Sequence, residues 1–299
     1  ETDSHLGLPV IPHSRARMDS VEIFPFRRAI EAGMGAVMTA HISVPSLDEG
    51  VGDPATLSSA VLTDLLRDEM EFDGLLFTDA MDMSAISRGF GAEEASVRAI
   101  EAGADVILMP PSVERAVEGI AAAVESGRID ASRIDASVRR ILETKKQMGL
   151  DRDRAVEIDQ IGQVVGIPAH TQVAAEIAER SITLLHNGGN LLPLLGTRSA
   201  RVMSVSFRRT SDVLAGRYFN TRLRQTYPRL TTADLDADSG PALYGDLLRR
   251  ARQQALVILS TYVTAVSYSG SLALPEEVAD FAGQLTEIGV PHIVISFGN

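Results

Sequence analysis

The chain has 299 residues, 45% of them hydrophobic and 23% charged, with a formal net charge of −12. Its length allows about two domains with cores of their own, and the composition is that of a globular protein. The acidic balance argues against nucleic acid or an anionic membrane surface as partner, since phosphate binding needs clustered Lys and Arg. No apolar run is long enough to span a bilayer. The absence of cysteine excludes disulfides and thiolate metal sites and leaves the redox compartment open.

Glu1-Thr2-Asp3-Ser4-His5 lacks both a Met and an apolar signal region, and the other end halts at Ile295-Ser296-Phe297-Gly298-Asn299 after a strand-like run. Both ends are therefore expected to be cut. In chain order, the pattern predicts a helix over 25–32 and a strand over 35–42. A loop with Pro45, Gly50, Gly52 and Pro54 leads to a helix capped near Ser58, with Val61, Leu62, Leu65, Leu66 and Met70 on one face. A strand over 74–79 is followed by a loop with Gly89 and Gly91 and a helix over 93–102. The next strand, 104–109, stops at Pro110-Pro111. The helix after it is capped by Ser112 and carries Val113, Ala116, Val117, Ile120 and Val124 at helical spacing. A last helix, 132–148, should turn Ile134, Val138, Ile141 and Leu142 inward.

Such strand–loop–helix units, recurring roughly every 30–40 residues, predict a parallel sheet with right-handed crossovers. An open doubly wound sheet and a (β/α)8 barrel both fit. The polar stretch 151–172, with Gly162, Gly166 and Pro168, reads as a linker between a domain over 1–150 and another over 173–299. In the second domain the pattern predicts helices over 173–180, 243–254 and 276–288. Strands are expected over 181–185, 201–207, 255–262 and 292–297, which makes a second α/β layer structure.

Gly74-Leu75-Leu76-Phe77-Thr78-Asp79 reads as a buried parallel strand ending on an acid. The carboxyl ends of such strands face the ligand crevice, which makes Asp79 a candidate nucleophile or base. The competing reading is an Asp that caps the next helix, and position alone leaves the two level. Asp3-Ser4-His5 sets a carboxylate two residues from an imidazole, and on an extended segment both side chains point the same way. A carboxylate partner fixes the tautomer of the ring and raises its pKa, which suits proton transfer near neutrality. As a lone tripeptide this is a weak signal.

Taken together and in order, Asp3-Ser4-His5-Leu6-Gly7-Leu8-Pro9, Val37-Met38-Thr39-Ala40-His41-Ile42 and Leu76-Phe77-Thr78-Asp79-Ala80-Met81 resemble glycoside hydrolase family 3, in particular its bacterial β-N-acetylglucosaminidases. The resemblance continues through Ala102-Gly103-Ala104-Asp105, Ser137-Val138-Arg139-Arg140-Ile141-Leu142, Ala178-Glu179-Arg180-Ser181-Ile182-Thr183-Leu184-Leu185 and Leu191-Leu192-Pro193-Leu194. It covers nearly the whole chain, its first three segments being specific and the later ones mainly structural. It implies an α/β architecture: the C-terminal part of a (β/α)8 TIM barrel over 1–150 and an incomplete αβα sandwich over 173–299. It further implies that Asp79 is the catalytic nucleophile, His5 the general acid/base on a mobile loop, and Asp3 its dyad partner. Most retaining glycosidases use a second carboxylic acid where this branch uses histidine.

The implied activity is removal of terminal β-linked N-acetylglucosamine from peptidoglycan fragments or chitin oligomers, by way of a covalent glycosyl-enzyme and without metal or organic cofactor. The implied partner is a carbohydrate, and the implied source is bacterial, with the compartment and oligomeric state left open. Alternatives are a phosphorylase with phosphate in place of water, a β-glucosidase-type member, and a sugar-binding fragment without turnover. No strand leads into G-x-G-x-x-G, which disfavours a dinucleotide-binding enzyme.

His41 ends a strand and is expected at the barrel mouth, either on the substrate side, as the resemblance implies, or satisfied inside the rim. Met81 and Met83 are expected to pack the pocket wall, and Asp82 to be solvated or a cap. Asp105, near the start of its strand, belongs to the stability face of a barrel. His13, His170, His186 and His292 have no ligand spacing. Glu276 and Glu277 sit where a helix starts and suit its dipole. The family's Lys-His-Phe-Pro-Gly-His-Gly-type segment, which lies upstream of the Asp-x-His loop, has no counterpart after Glu1. The polypeptide alone is therefore expected neither to close a barrel nor to hold a sugar.

Overall fold

The computed structural model describes residues 3–48, 52–194, 198–263 and 274–298; Glu1, Thr2, Gly50 and Asn299, named above, lie outside them. The chain divides into two units, Glu1–Asp159 and Gln160–Asn299.

In the first unit β1 (Ala36–Met38) and β2 (Leu75–Phe77) pair in parallel, with Val37 opposite Leu76. Gly74, at the start of β2, permits that approach, since a Cβ there would lie 2.5 Å from the Gly35 carbonyl oxygen and 2.6 Å from the Phe72 ring. The connection between the strands runs through the helix Ala60–Glu69. Its N-terminus is capped by Ser58, whose hydroxyl accepts from the Val61 amide at 3.4 Å. This helix has π geometry, ending with the Met70 amide bonded to the Leu65 carbonyl five residues back. Leu62, Leu65 and Leu66 pack with Val37, Leu76, Ala95 and Ala99 into one core. The helix Ala92–Ala102 follows β2 and completes the second strand–helix unit.

The expected strand over 104–109 is reduced to one parallel bridge, Val106 beside Phe77. Met109 has φ +46° and is followed by Pro110 and Pro111, which supply no amide donors, so extended pairing ends at Leu108. The helix Val113–Glu125 is capped by the Ser112 hydroxyl, and Ala131–Gln147 by the Asp130 carboxylate. On the latter, Val138 and Leu142, expected inward, are exposed. The inward positions belong instead to Ser137, Arg133 and Arg140, which reach Asp105 or the carbonyl before it.

The second unit holds a four-stranded parallel sheet in the order β4-β3-β5-β6: β3 Val202–Phe207, β4 Thr231–Leu235, β5 Leu256–Thr261 and β6 His292–Ser296. Met203, Val205, Val257 and Leu259 pack with Leu247 of the helix Pro241–Ala251 and with Phe281 and Leu285 of Glu276–Glu287. Val202, Leu256 and Ile258 pack with Phe219 and Leu223 of Arg217–Thr226. The sheet is therefore covered on both faces, as its near-continuous apolar strands require.

The sequence pattern did not predict β4 or the helix Arg217–Thr226. The former is an edge strand of mixed Thr, Ala and Asp, and the latter is rich in Arg. The strand expected over 181–185 is absent. Ser181 closes the helix Pro168–Ser181, and Ile182, Leu184 and Leu185 are exposed. Apolar alternation makes a strand only where a neighbour pairs its backbone.

Candidate active site

Asp79 lies two residues beyond β2 and is half-buried. Its Oδ1 accepts a hydrogen bond from the amide of Ala80 at 2.7 Å. The next helix, Ser84–Ser87, has Met83 at its N-cap, so Asp79 caps no helix. The segment that carries it is held on the side of Val106 and Leu108. The Thr78 amide donates to the Val106 carbonyl at 3.0 Å and the Met81 amide to the Leu108 carbonyl at 2.9 Å. The Thr78 hydroxyl accepts from the Leu108 amide at 2.9 Å.

Asp3 and His5 meet as the spacing predicts, though in a turn rather than an extended segment. Asp3 Oδ1 accepts from the backbone amide of His5 at 3.0 Å and lies 2.8 Å from His5 Nδ1. The Leu6 and Gly7 amides close on the Asp3 carbonyl at 2.8 and 3.0 Å. An Asx-type turn places the two groups together because the side chain that caps the turn is also the partner of the ring. The chain leaving this turn is tied to the strand ends. Pro9 and Ile11 bond Ser43 through the Ser43 amide and carbonyl, both at 2.8 Å, and the Arg88 guanidinium donates to the Leu6 carbonyl at 3.2 Å. The Asp-x-His turn is thus anchored to the loop after β1 and, through Arg88, to the end of the short helix Ser84–Ser87 that follows the Asp79 segment.

His41, three residues beyond the end of β1, is fully buried. Its Nε2 lies 2.9 Å from the Ala80 carbonyl oxygen and its Nδ1 2.8 Å from the Thr56 hydroxyl. Burial pushes its pKa below the ordinary histidine value, against the Ala80 hydrogen bond and the charges of Asp79 and Asp82, which raise it. Both ring nitrogens are thus engaged by protein, which is the arrangement of a histidine satisfied inside the rim. Met81 is also buried, packed in the same core as Leu76 and Ile86, and Met83 lies buried nearby. Asp82 is exposed.

Residues 1–144 match the glycosyl hydrolase family 3 N-terminal domain. This part of the chain belongs to glycoside hydrolase family 3. The chain is 32% identical over 211 residues to beta-hexosaminidase A of Pseudoalteromonas piscicida, covering 64% of this chain and 35% of that protein. It is also 32% identical over 211 residues to a beta-N-acetylglucosaminidase/beta-glucosidase of Cellulomonas fimi, covering 68% of this chain and 37% of that protein. The chain therefore spans little more than a third of the length of these curated relatives. The solved family 3 beta-N-acetylglucosaminidase of Paenibacillus sp. str. FPU-7 superposes with a TM-score of 0.71 at 32% identity, over 98% of this chain and 55% of that one.

Within this family 3 domain, sequence reasoning missed Thr39, Thr56, Thr78 and Arg88. Thr39 and Thr78 are buried polar residues next to strand ends, and such groups need partners; that requirement, applied to Met38-Thr39-Ala40-His41 and Phe77-Thr78-Asp79, was the available signal, whereas Thr56 lies buried in the short helix Ala55–Leu57 and left none. Arg88, at the end of the helix Ser84–Ser87, left none either. Among the described residues no group of three or more His, Asp or Glu could hold a metal ion. No helix among them is long and apolar enough to cross a membrane.

Proposed function

We propose that this protein is a retaining glycoside hydrolase that removes terminal β-linked N-acetylglucosamine from glycans, peptidoglycan fragments or chitin oligomers being its substrate class. In this reading 1–150 is the C-terminal part of a (β/α)8 barrel, 151–172 a linker, and 173–299 an incomplete αβα sandwich. The observation that carries the reading is the 2.8 Å contact between Asp3 and His5 on a turn anchored to the loop after β1 and to Arg88, at the end of the short helix that follows the Asp79 segment.

Asp79 is the nucleophile. The Ala80 amide occupies Oδ1, and Oδ2 is assigned to attack the anomeric carbon. As that bond forms, the bond to the leaving oxygen breaks, and His5 Nε2 delivers its proton to that oxygen. Asp3, bonded at Nδ1, fixes the ring and stabilises the imidazolium. In the second half, water attacks the anomeric carbon and gives its proton to His5 Nε2. The bond to Asp79 breaks, its carboxylate is restored, and the sugar leaves with retained configuration.

The test uses the full-length protein with p-nitrophenyl N-acetyl-β-D-glucosaminide. Asp79→Asn is expected to remove nearly all turnover, and unchanged turnover would refute the assignment. A second reading, a β-glucosidase-type enzyme, is favoured by the double name of the Cellulomonas fimi relative. Faster turnover of the p-nitrophenyl β-glucoside would select it.

A further inference from the structure

We propose that His41 is a positioning residue for Asp79, holding the backbone that carries the carboxylate from a buried chain of hydrogen bonds that begins at Thr39. The inference rests on the reading of Asp79 as nucleophile.

The direction of every bond in the chain follows from elementary donor and acceptor rules. The Ala80 carbonyl only accepts, so His41 Nε2 carries a proton and donates to it, at 2.9 Å. The ring has no exposed surface, and a buried imidazole without a carboxylate in contact is neutral. Nδ1 is therefore the acceptor and takes the Thr56 hydroxyl proton at 2.8 Å. Thr56, having given its one proton, accepts from the Thr39 hydroxyl at 2.9 Å. The Ala40 carbonyl, 3.2 Å from Thr56 Oγ1, is a second and longer acceptor for that same proton. Thr56 is itself fully buried, so water does not compete for these groups.

Ala80 follows Asp79 directly, and its two backbone groups are used on opposite errands. Its amide bonds the Asp79 carboxylate at 2.7 Å, and its carbonyl receives His41. On the far side, Thr78 and Met81 are tied to Val106 and Leu108. The carboxylate thus sits on a short span pinned by the 106–108 segment on one flank and by His41 on the other. Release of the His41 flank frees the Ala80 peptide to rotate, and with it the amide that fixes Oδ1. Displacement of a reacting group by about 1 Å costs on the order of 100-fold in rate without any change in the chemistry of the group.

The test compares two amides in the full-length enzyme. Glutamine places its amide nitrogen where His Nε2 lies and can still donate to Ala80, whereas asparagine reaches only as far as Nδ1. With p-nitrophenyl N-acetyl-β-D-glucosaminide, His41→Asn is expected to lower kcat by about 10- to 100-fold with KM changed by less than about threefold. His41→Gln is expected to restore kcat to within about threefold of wild type. Thr56→Val, which leaves Nδ1 without its donor, should fall between them and serves if His41→Asn does not fold. Equal impairment of the Gln and Asn variants, or full activity of His41→Asn, would overturn the proposal. Asp79→Asn is assayed alongside: if it keeps its turnover, the nucleophile reading has failed first, and a loss in His41→Asn then has another origin.

Discussion

The carboxylate of Asp105 and the guanidinium of Arg67 meet at 2.6 Å, with the Asp105 side chain wholly buried. Asp105 also accepts from the Leu76 amide at 3.0 Å, the Ser137 hydroxyl at 2.5 Å and Arg140 at 3.2 Å. Arg67 in turn bonds the carbonyls of Phe72 and Gly74, both at 2.6 Å. One acid therefore joins the helix Ala60–Glu69, the strand β2 and the helix Ala131–Gln147. Burial pushes the Arg67 pKa down, and the Asp105 charge opposes it. Removing one partner of such a pair leaves a buried charge without its counterion. Asp105→Ala is expected to destabilise the protein by about 3–5 kcal/mol. Urea unfolding measures it, and a midpoint within error of wild type would show that the cluster contributes nothing net.

Gly74 gives a second stability test, set by space alone. A methyl group at this position would overlap the Gly35 carbonyl at 2.5 Å, so β1 and β2 must separate at their start to admit it. Gly74→Ala is expected to cost about 1–3 kcal/mol through overpacking. The effect should appear in thermal unfolding. Because the separation falls at the strand end opposite Asp79, KM should stay near wild type in whatever fraction folds.

The apolar strands of both units and the capping residues Ser58 and Ser112 were legible in the sequence, because burial periodicity and side-chain caps are local signals. Asp79 was legible as an acid at a strand end, and Asp3 with His5 as a pair, since each rests on spacing along a short segment. What could not be read were the partners joined only by the fold. Val138 and Leu142 follow the helical period, yet the inward face went to Ser137 and Arg140 because Asp105, more than thirty residues earlier, needed donors. The 181–185 segment has the composition of a strand and, among the described residues, no neighbour that pairs with it. His41 stood between two readings for the same reason, since its hydrogen-bond partners, Thr56 and Ala80, lie far from it in sequence.

The Asp3–His5 contact predicts how activity should depend on the leaving group. Without the Asp3 carboxylate, His5 loses the partner of Nδ1 and the acceptor that holds its own amide. Protonation of the leaving oxygen should suffer most, and general acid assistance is worth about 100- to 10,000-fold. Asp3→Ala is therefore expected to slow hydrolysis of natural disaccharides far more than that of 2,4-dinitrophenyl glycosides, whose leaving groups need little protonation. Equal loss on both substrates would contradict a role for Asp3 in acid catalysis.

The buried His41 predicts a stability profile on the acid side of neutrality. Its folded pKa is lowered by burial from an ordinary value of 6.5, while Asp79, Asp82 and the Ala80 carbonyl offset this only in part. Above that value both folded and unfolded chains hold the ring neutral, and pH has no leverage on it. As pH falls through the unfolded pKa, the unfolded chain takes up a proton that the folded ring resists. Stability contributed by neutral His41 is therefore lost with decreasing pH, until the folded pKa is reached as well. One such group sets a limiting slope of about 1.4 kcal/mol per pH unit. His41→Gln keeps a donor for Ala80 and removes the titration. Urea unfolding of both proteins between about pH 5 and 8 should give parallel stabilities above neutrality, with a steeper decline for wild type below it. Profiles that remain parallel throughout would mean that His41 takes its proton in the folded state as readily as in the unfolded chain.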